Sequence, residues 1–325
     1  MTSNQNPQPD VSILITNWNG RELLKDCIRS VVEHTMEISY EIIVVDDAST
    51  DDSAEMVRKE FPQVLLIQNK KNLGFVGANN AGVPSATGRY VLLLNSDTLL
   101  FHNALKVLVD FMDAHPDAGV CGGWLRNKDM SSQVSFGDFP SLKQALSDAL
   151  FLNVLIPERY LPNRGIKPDP SIKGPIVVDY ITGADILIRK TLIDRMGLFD
   201  ERFQAYCEET DFCYRVKYEA RLRSYFVPGA EIIHLVGKSY GKLGKRQVQV
   251  HCSSYGKFLK KYHGAAYSFC ARALIAWCHL VKLVVREMNY LLAAPSGRPE
   301  RKLMVLNAWY VVRYSLFPHE QHAVT

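Results

Sequence analysis

Apolar and polar positions alternate between two periods along the first hundred residues. VSILIT (11–16), EIIVVD (41–46), VLLIQN (64–69) and YVLLLN (90–95) are short, near-continuous runs of Val, Ile and Leu. Runs of this length, bounded by turn-forming residues, read as strands buried on both faces. Between the first two, GRELLKDCIRSVVEH from Gly20 places Leu23, Leu24, Cys27, Ile28, Val31 and Val32 at helical spacing. A shorter helix should end near Phe61 and Pro62, and another should follow Phe101. NLGFVGANNAG (72–82) reads as a Gly/Asn-rich turn between the third and fourth strands. The alternation predicts an α/β fold with a mainly parallel central sheet flanked by helices.

Residues 125–175 are rich in Pro, Gly, Ser and Asn, and predict loops around a short helix near Leu142–Leu155. A second structured block follows as VVDYITGADILIRK, GLFDERFQAYCEETDFCYRVKYE and the strand-like SYFVPGAEIIHL. The pattern then changes again. From Ala266 to Leu292 the chain is apolar, but its longest stretch between basic residues is Ala273–Val281. That is short of the ~20 residues a bilayer crossing needs. On a helical wheel Arg272, His279, Lys282, Arg286 and Glu287 share one side, with Leu274, Trp277, Val281, Val284, Met288 and Leu291 opposite. A basic stripe opposite a Trp/Leu/Val face suits a helix lying in a membrane interface. A helix packed on the protein's own core or on a second subunit would show the same pattern. Leu303–Phe317, with Trp309, Tyr310 and Tyr314, extends the apolar surface.

Charge sharpens this division. The net charge of +4 hides 14 Lys and Arg against 3 acids from Gly237 onward, and 24 against 31 before it. An acidic body with a basic tail points to an anionic partner for the tail. The coherent apolar face favours an anionic membrane surface over nucleic acid. The 325 residues allow one large α/β unit with an appendage, and 47% hydrophobic with 22% charged residues exclude wholesale disorder, collagen and coiled coil. We expect a flexible N-terminus over 1–10, an α/β domain over 11–262 with halves of about 11–124 and 125–262, and a helical C-terminal region over 263–325. Seven scattered cysteines without a C-x-x-C pair read as reduced thiols in a cytosolic protein. MTSNQNPQPD at the start carries no basic-then-apolar secretion signal.

Three polar signatures follow apolar strands directly: Thr16-Asn17-Trp18-Asn19, Asp46-Asp47-Ala48-Ser49 and Asn95-Ser96-Asp97-Thr98. In open α/β sheets ligands bind beyond the carboxyl ends of the strands, so these segments should meet at one crevice. Each alone is a serviceable turn. The 72–82 segment lacks the order G-x-G-x-x-G, and no G-x-x-x-x-G-K-[ST] occurs. A diphosphate in the crevice would therefore need another neutralising group, and a metal on Asp97 is the candidate. Glu208, Glu209 and Asp211 place three acids within four residues, either as a general-base site or as a solvated helix start. His234 ends an apolar run, where a lone histidine is more often a core or loop residue than a ligand.

ILITNWNG, VVDDASTDDS, NLGFVGANNAG, LLLNSDT, ITGAD, GLFDERFQAYCEETDFCYR and IIHLVGKSYGK occur in the order seen in family 2 glycosyltransferases. The chain resembles their bacterial rhamnosyltransferase-like branch from about Val11 to Tyr262. The resemblance implies a GT-A fold and an inverting, metal-dependent sugar transfer from a nucleotide-sugar donor. The acceptor would be a glycan or a polyprenyl-diphosphate-linked glycan of bacterial surface polysaccharide, with rhamnose the candidate sugar. Thr16, Asn17, Asp46, Asp47, Asn72, Gly74, Asn79, Asn95, Ser96 and Asp97 would form the donor side. Asn95-Ser96-Asp97 stands at the D-x-D position, with Asp97 holding Mg²⁺ or Mn²⁺. His234, at the H-x-x-G-x-S position, becomes the second metal ligand. Tyr206-Cys207-Glu208-Glu209-Thr210-Asp211-Phe212 matches Y-x-E-D-x-D-L, with Glu209 replacing the usual catalytic Asp. Glu208 is its main rival as base, and Asp211 belongs to the same motif. Gly183, Ala184 and Asp185 would line the acceptor side. The enzyme would work in the cytoplasm, peripheral at the inner face of the membrane; oligomeric state is open.

Three other classes match the sequence less well. A sugar nucleotidyltransferase should carry a Gly-rich, Arg/Lys-bearing loop after the first strand, and TNWNGRELL is not that loop. A dinucleotide-dependent oxidoreductase needs the missing glycine fingerprint. A non-catalytic sugar- or membrane-binding protein would keep the fold but need neither Asp97 nor Glu209.

Overall fold

The computed structural model describes residues 8–152, 165–235, 245–291 and 298–317. Its first part alternates as expected: β1 (Val11–Asn17), α1 (Arg21–His34), β2 (Tyr40–Asp46), α2 (Ser53–Glu60), β3 (Leu65–Gln68), α3 (Gly74–Gly82) and β4 (Tyr90–Asn95). After it come β5 (Thr98–Leu99), α4 (Ala104–Ala114), β6 (Ala118–Arg126), β7 (Phe136–Gly137), α5 (Leu142–Ala149), β8 (Ile176–Val178), β9 (Tyr180–Ile181), β10 (Asp185–Arg189), α6 (Lys190–Met196), α7 (Glu208–Tyr218) and β11 (Arg223–His234). Three helices end the described chain: α8 (Lys245–His263), α9 (Ala265–Leu291) and α10 (Arg298–Leu316).

The central sheet runs β3-β2-β1-β4-β10-β6-β11-β5, with β8 paired to β11. From β3 to β4 every pairing is parallel. The other half is mixed, because β10 is antiparallel to both β4 and β6 while β6 and β11 are parallel. Ile13, Leu14 and Ile15 of β1 are fully buried, each worth about 1.5–3 kcal/mol relative to exposure. One core layer joins β1, α1 and α4 through residues such as Ile13, Leu24, Ile28, Leu105 and Leu108.

The 72–82 turn is a helix. Gly77, inside α3, costs about 1 kcal/mol against Ala. Tertiary contacts offset this: Val76, Ala78, Asn79 and Gly82 are buried, and the Asp47 carboxylate accepts the amides of Leu73 and Gly74 at 2.9 Å each. Gly82 is required by proximity, since a Cβ there would lie 2.4 Å from Leu14 Cδ1 and 2.7 Å from Val45 Cγ2.

The chain forms two compact units. One comprises residues up to Phe139, Gly165–Gln204 and Glu208–Gly237; the other comprises Pro140–Arg164, Ala205–Cys207 and the chain from Lys238. The first holds the central sheet. The second holds α5 and the three C-terminal helices. Of the short helix expected near Leu142–Leu155, residues 153–155 lie outside the described residues, as do 1–7 of the N-terminal segment.

Helix α9 runs unbroken for 27 residues. Its Ala265–Val285 part, 21 residues long, reaches the length and apolar composition of a membrane span. The sequence reading fell short of this because it stopped at each basic residue. Within the second unit α9 turns part of its polar stripe inward: Arg272 is half-buried, and a Cβ on Gly256 of α8 would lie 3.1 Å from its Cδ. Trp277, Leu280, Val284 and Val285 face outward, with Trp277 56% exposed. The side chains of Arg286, Met288 and Leu291 lie outside those described.

Candidate active site

Parallel register brings the first strand ends to one level. Thr16 pairs with Val45 and Asn95, and Asn17 pairs with Asp46. A Cβ on Gly20 would sit 2.8 Å from Asn17 Oδ1 and 3.9 Å from Ser96 Oγ, so the turn after β1 lies against the turn after β4. Asn17 and Asp46 are 2% and 1% exposed. Asn17 Oδ1 and Asp46 Oδ1 nevertheless have no hydrogen-bond partner among the described residues. Leaving a buried acceptor unsatisfied costs about 1–3 kcal/mol, so two at one tip mark a place where a ligand's donors belong.

Asp46 and Asp47 differ sharply. Asp46 uses Oδ2 to accept Ser49 N–H at 3.2 Å. Asp47 spends both oxygens inside the protein, accepting from Asn69 Nδ2, Leu73 N and Gly74 N. It anchors the start of α3. Asn72 Oδ1 also accepts Gly74 N–H at 2.9 Å, and Gly74 adopts φ +72°, a conformation suited to glycine. Buried Asn79 donates to Phe75 O within α3. Asp47, Asn72 and Asn79 therefore shape the loop, whereas Asn17 and Asp46 keep unused acceptors.

Asp97 and His234 lie far apart in sequence and meet through β5 and β11. His234 pairs with Thr98, and Leu235 N donates to Asp97 O at 2.8 Å. His234 Nε2 stands 3.2 Å from Asp97 Oδ1. Both side chains are mostly buried, at 14% and 24% exposure. The Asp97 carboxylate suits Mg²⁺ or Mn²⁺ when substrate phosphates and water complete the shell, and the imidazole favours Mn²⁺, the softer of the two. They do not make an all-protein cage: among the described residues no three His, Cys, Asp or Glu side chains gather for a metal. Gly237 and Ser239 of the H-x-x-G-x-S segment lie outside the described residues.

The acids of α7 divide into two roles. Asp211 is fully buried and paired with Arg215 Nε at 3.0 Å. Arg215 also donates to the carbonyls of Met196, Gly197 and Leu198, so this ion pair ties α7 to the end of α6. Glu208 is 5% exposed and Glu209 half-buried. Glu208 Oε2 and Glu209 Oε2 have no hydrogen-bond partner among the described residues. Burial raises both carboxyls: Glu209 is lifted to about 7, and Glu208 well above its ordinary range by burial and then by the Glu209 charge. The carboxyls also share a hydrogen bond that raises Glu208 and lowers Glu209, so Glu208 holds its proton while Glu209 ionises near neutrality. That is the condition a general base requires. Tyr206 and Cys207, which lead into α7, both have φ of +65°, a conformation that costs non-glycine residues roughly 1–3 kcal/mol and that clusters at functional sites.

Gly183 lies beside the acid pair: a Cβ there would be 4.0 Å from Glu209 Cβ and 3.7 Å from Phe75 Cζ. Ala184 O accepts Asn95 N–H at 3.1 Å, so the same segment touches the Asn95-Ser96-Asp97 turn. Asp185 is fully buried, accepts Gly123 N–H at 2.7 Å and is pushed up by burial. It belongs to β10 and bonds across to β6 rather than facing outward. Gly183 thus approaches Glu209, Ala184 bonds to Asn95, and Asp97, two residues further on, meets His234. The sequence reading did not single out Phe75, Arg215 or Gln133, the last of which touches His234. Phe75 lay in a segment read as a turn, and Gln133 in a region without periodicity.

The model of "Glycosyl transferase family 2" matches residues 12–191. An N-acetylglucosaminyl-diphospho-decaprenol L-rhamnosyltransferase of Mycobacterium tuberculosis is 26% identical over 275 residues, covering 80% of this chain and 86% of that protein. A poly(ribitol-phosphate) beta-glucosyltransferase of Bacillus spizizenii is 37% identical over 100 residues, 29% of this chain and 16% of that protein. Among solved structures, a mannosyltransferase from Pyrobaculum calidifontis in complex with GDP-Man and Mn²⁺ aligns over 97% of this chain and 89% of its own, with TM-score 0.57 and 17% identity. A GalNAc-T7 structure with UDP, GalNAc and Mn²⁺ aligns over 78% of this chain and 48% of its own, with TM-score 0.58 and 15% identity. At these identities the two structures speak to the fold, which is the GT-A fold.

Proposed function

The chain belongs to glycosyl transferase family 2, and from that premise we propose that it is an inverting, metal-dependent glycosyltransferase. It moves a sugar from a nucleotide-sugar donor to a polyprenyl-diphosphate-linked glycan, with rhamnose the first donor sugar to test. The observation that carries this reading is the buried Glu208–Glu209 pair beside Gly183, with Glu209 near neutrality and an unpartnered oxygen on each acid. The lipid-linked acceptor and the sugar follow the mycobacterial relative.

Glu209 removes the proton from an acceptor hydroxyl as its oxygen attacks the anomeric carbon in line. Glu208, holding its proton, donates to Glu209 and keeps a second negative charge from forming at the base. Asn17 and Asp46 offer their unused oxygens to the nucleotide's donors. A divalent cation held by Asp97 and His234 would neutralise charge on the departing nucleotide diphosphate. The replacement of Asp by Glu at the base adds one methylene, which the half-buried position of Glu209 accommodates.

The second unit supports work at a membrane surface on the cytoplasmic side. Its α9 presents Phe269, Trp277, Leu280, Val284 and Val285 outward, and the chain from Gly237 carries its excess of 14 basic over 3 acidic residues. Apolar anchors with basic flanks bind anionic bilayers. The decisive experiment is a panel of nucleotide sugars offered with synthetic polyprenyl-diphosphate-linked N-acetylglucosamine, with and without Mn²⁺ or Mg²⁺. We expect glycosylated lipid of inverted configuration from one donor, only with metal. A chain that binds donors but transfers none supports the non-catalytic alternative.

A further inference from the structure

Gln133 lies in the connection from β6 to β7, next to an isolated antiparallel bridge between Arg126 and Ser132, and is 7% exposed. Its backbone amide donates to Leu125 O at 2.9 Å, and the turn ahead of it is closed by Asn127 N to Ser131 O at 2.8 Å. The side chain makes the contacts that matter. Nε2 faces three acceptors: His234 O at 2.6 Å, Asn127 Oδ1 at 2.8 Å and Arg126 O at 3.2 Å. Oε1 faces His234 Nδ1 at 3.1 Å.

Two of those three acceptors are backbone carbonyls, which cannot donate. The amide orientation follows, because the reverse would point an oxygen at both carbonyls. Oε1 is then an acceptor opposite His234 Nδ1, so Nδ1 carries hydrogen. In the neutral ring this leaves the lone pair on Nε2, 3.2 Å from Asp97 Oδ1. Two lone pairs at that distance repel unless a proton on Nε2 or a cation lies between them.

We infer that Gln133 is a positioning residue, gripping His234 by ring and carbonyl so that Nε2 presents its lone pair beside Asp97. The inference rests on the proposed role of Asp97 and His234 as cation ligands and adds the group that orients one of them. Ligating histidines are commonly held this way through the other ring nitrogen.

The test reads the ring directly in the full-length chain. Two-bond ¹H–¹⁵N correlation spectra report the tautomer, with His234 assigned by the signal lost in His234→Asn. We expect the Nδ1–H form in the native protein and a shift toward Nε2–H in Gln133→Met. Binding of Mn²⁺ alone, followed by electron paramagnetic resonance, should weaken about 10–100-fold in Gln133→Met. Ser132→Ala removes a hydroxyl contacted by Trp124 and Arg126 in the same connection and should change neither readout. An Nε2–H ring in the native protein overturns the inference, and so does unchanged Mn²⁺ affinity in Gln133→Met or an equal loss in Ser132→Ala. If Gln133→Met does not fold, the native tautomer alone decides. If the native chain binds no Mn²⁺ while its tautomer still follows Gln133, the cation assignment fails and the grip on the ring stands.

Discussion

The two halves of the central sheet build their parts of the site by different means. On the β1, β2 and β4 side, parallel register carries Thr16, Asn17, Asp46 and Asn95 to one level. Each residue follows its own strand, so position in sequence predicts position in space. On the β10, β6, β11 and β5 side, directions are mixed, and Asp97 meets His234 only because β5 pairs with β11. The comparison teaches that the residues proposed for the donor side are placed by their own strands, while those proposed to hold the cation depend on a pairing between distant segments.

The sharpest test of that contrast is Glu209→Gln. It should lower turnover roughly 10²–10⁴-fold, the range for a lost general base, while donor binding measured calorimetrically is retained. The same change should stabilise the fold. Because the folded-state value of Glu209 is raised, the native protein holds more protons than the unfolded chain between its ordinary value of 4.5 and about 7. Stability therefore falls as pH rises through that window. At pH 8 the glutamine variant should resist urea better by about 1 kcal/mol or more, the equivalent of a one-unit difference in pKa. Native turnover in the variant would remove Glu209 from the role.

Asp211→Ala, two residues on, should act in the opposite way. It strands buried Arg215 and should cost about 3–5 kcal/mol in denaturant unfolding, with activity lost only as the fold is lost. A stable but inactive variant would make Asp211 part of the chemistry. Next in size is pH: kcat/KM should fall about tenfold per unit below pH 7 as Glu209 is protonated, and a profile flat to pH 5 contradicts its elevation.

The smallest effects separate neighbouring aspartates. Asp47→Ala removes the anchor of α3 and should cost about 0.5–2 kcal/mol, as other lost helix caps do. Asp46→Ala should change stability less and weaken donor binding more. Reversed behaviour would show that the nucleotide displaces Asp47 from the α3 amides.

Much of this protein was legible one segment at a time. Continuous Val/Ile/Leu runs determined the buried strands β1, β2 and β4, because a strand covered on both faces has no place for polar side chains; the run of β3 instead lies at the sheet edge, with Leu65 48% exposed. Their polar ends determined where a ligand would bind, and the charge count set the C-terminal chain apart. Resemblance supplied roles for Asp97, Glu209 and His234. Tertiary structure decided the rest. It turned a Gly/Asn-rich segment into α3 by lending it the Asp47 carboxylate and a close seat on Leu14 and Val45. It separated Glu209 from Asp211 through a buried arginine, and gave His234 a partner 101 residues away in Gln133. Periodicity records which face of an element is buried. Hydrogen-bond satisfaction and the elevation of a carboxyl depend on neighbours brought together by folding, and those were set only when the strands paired.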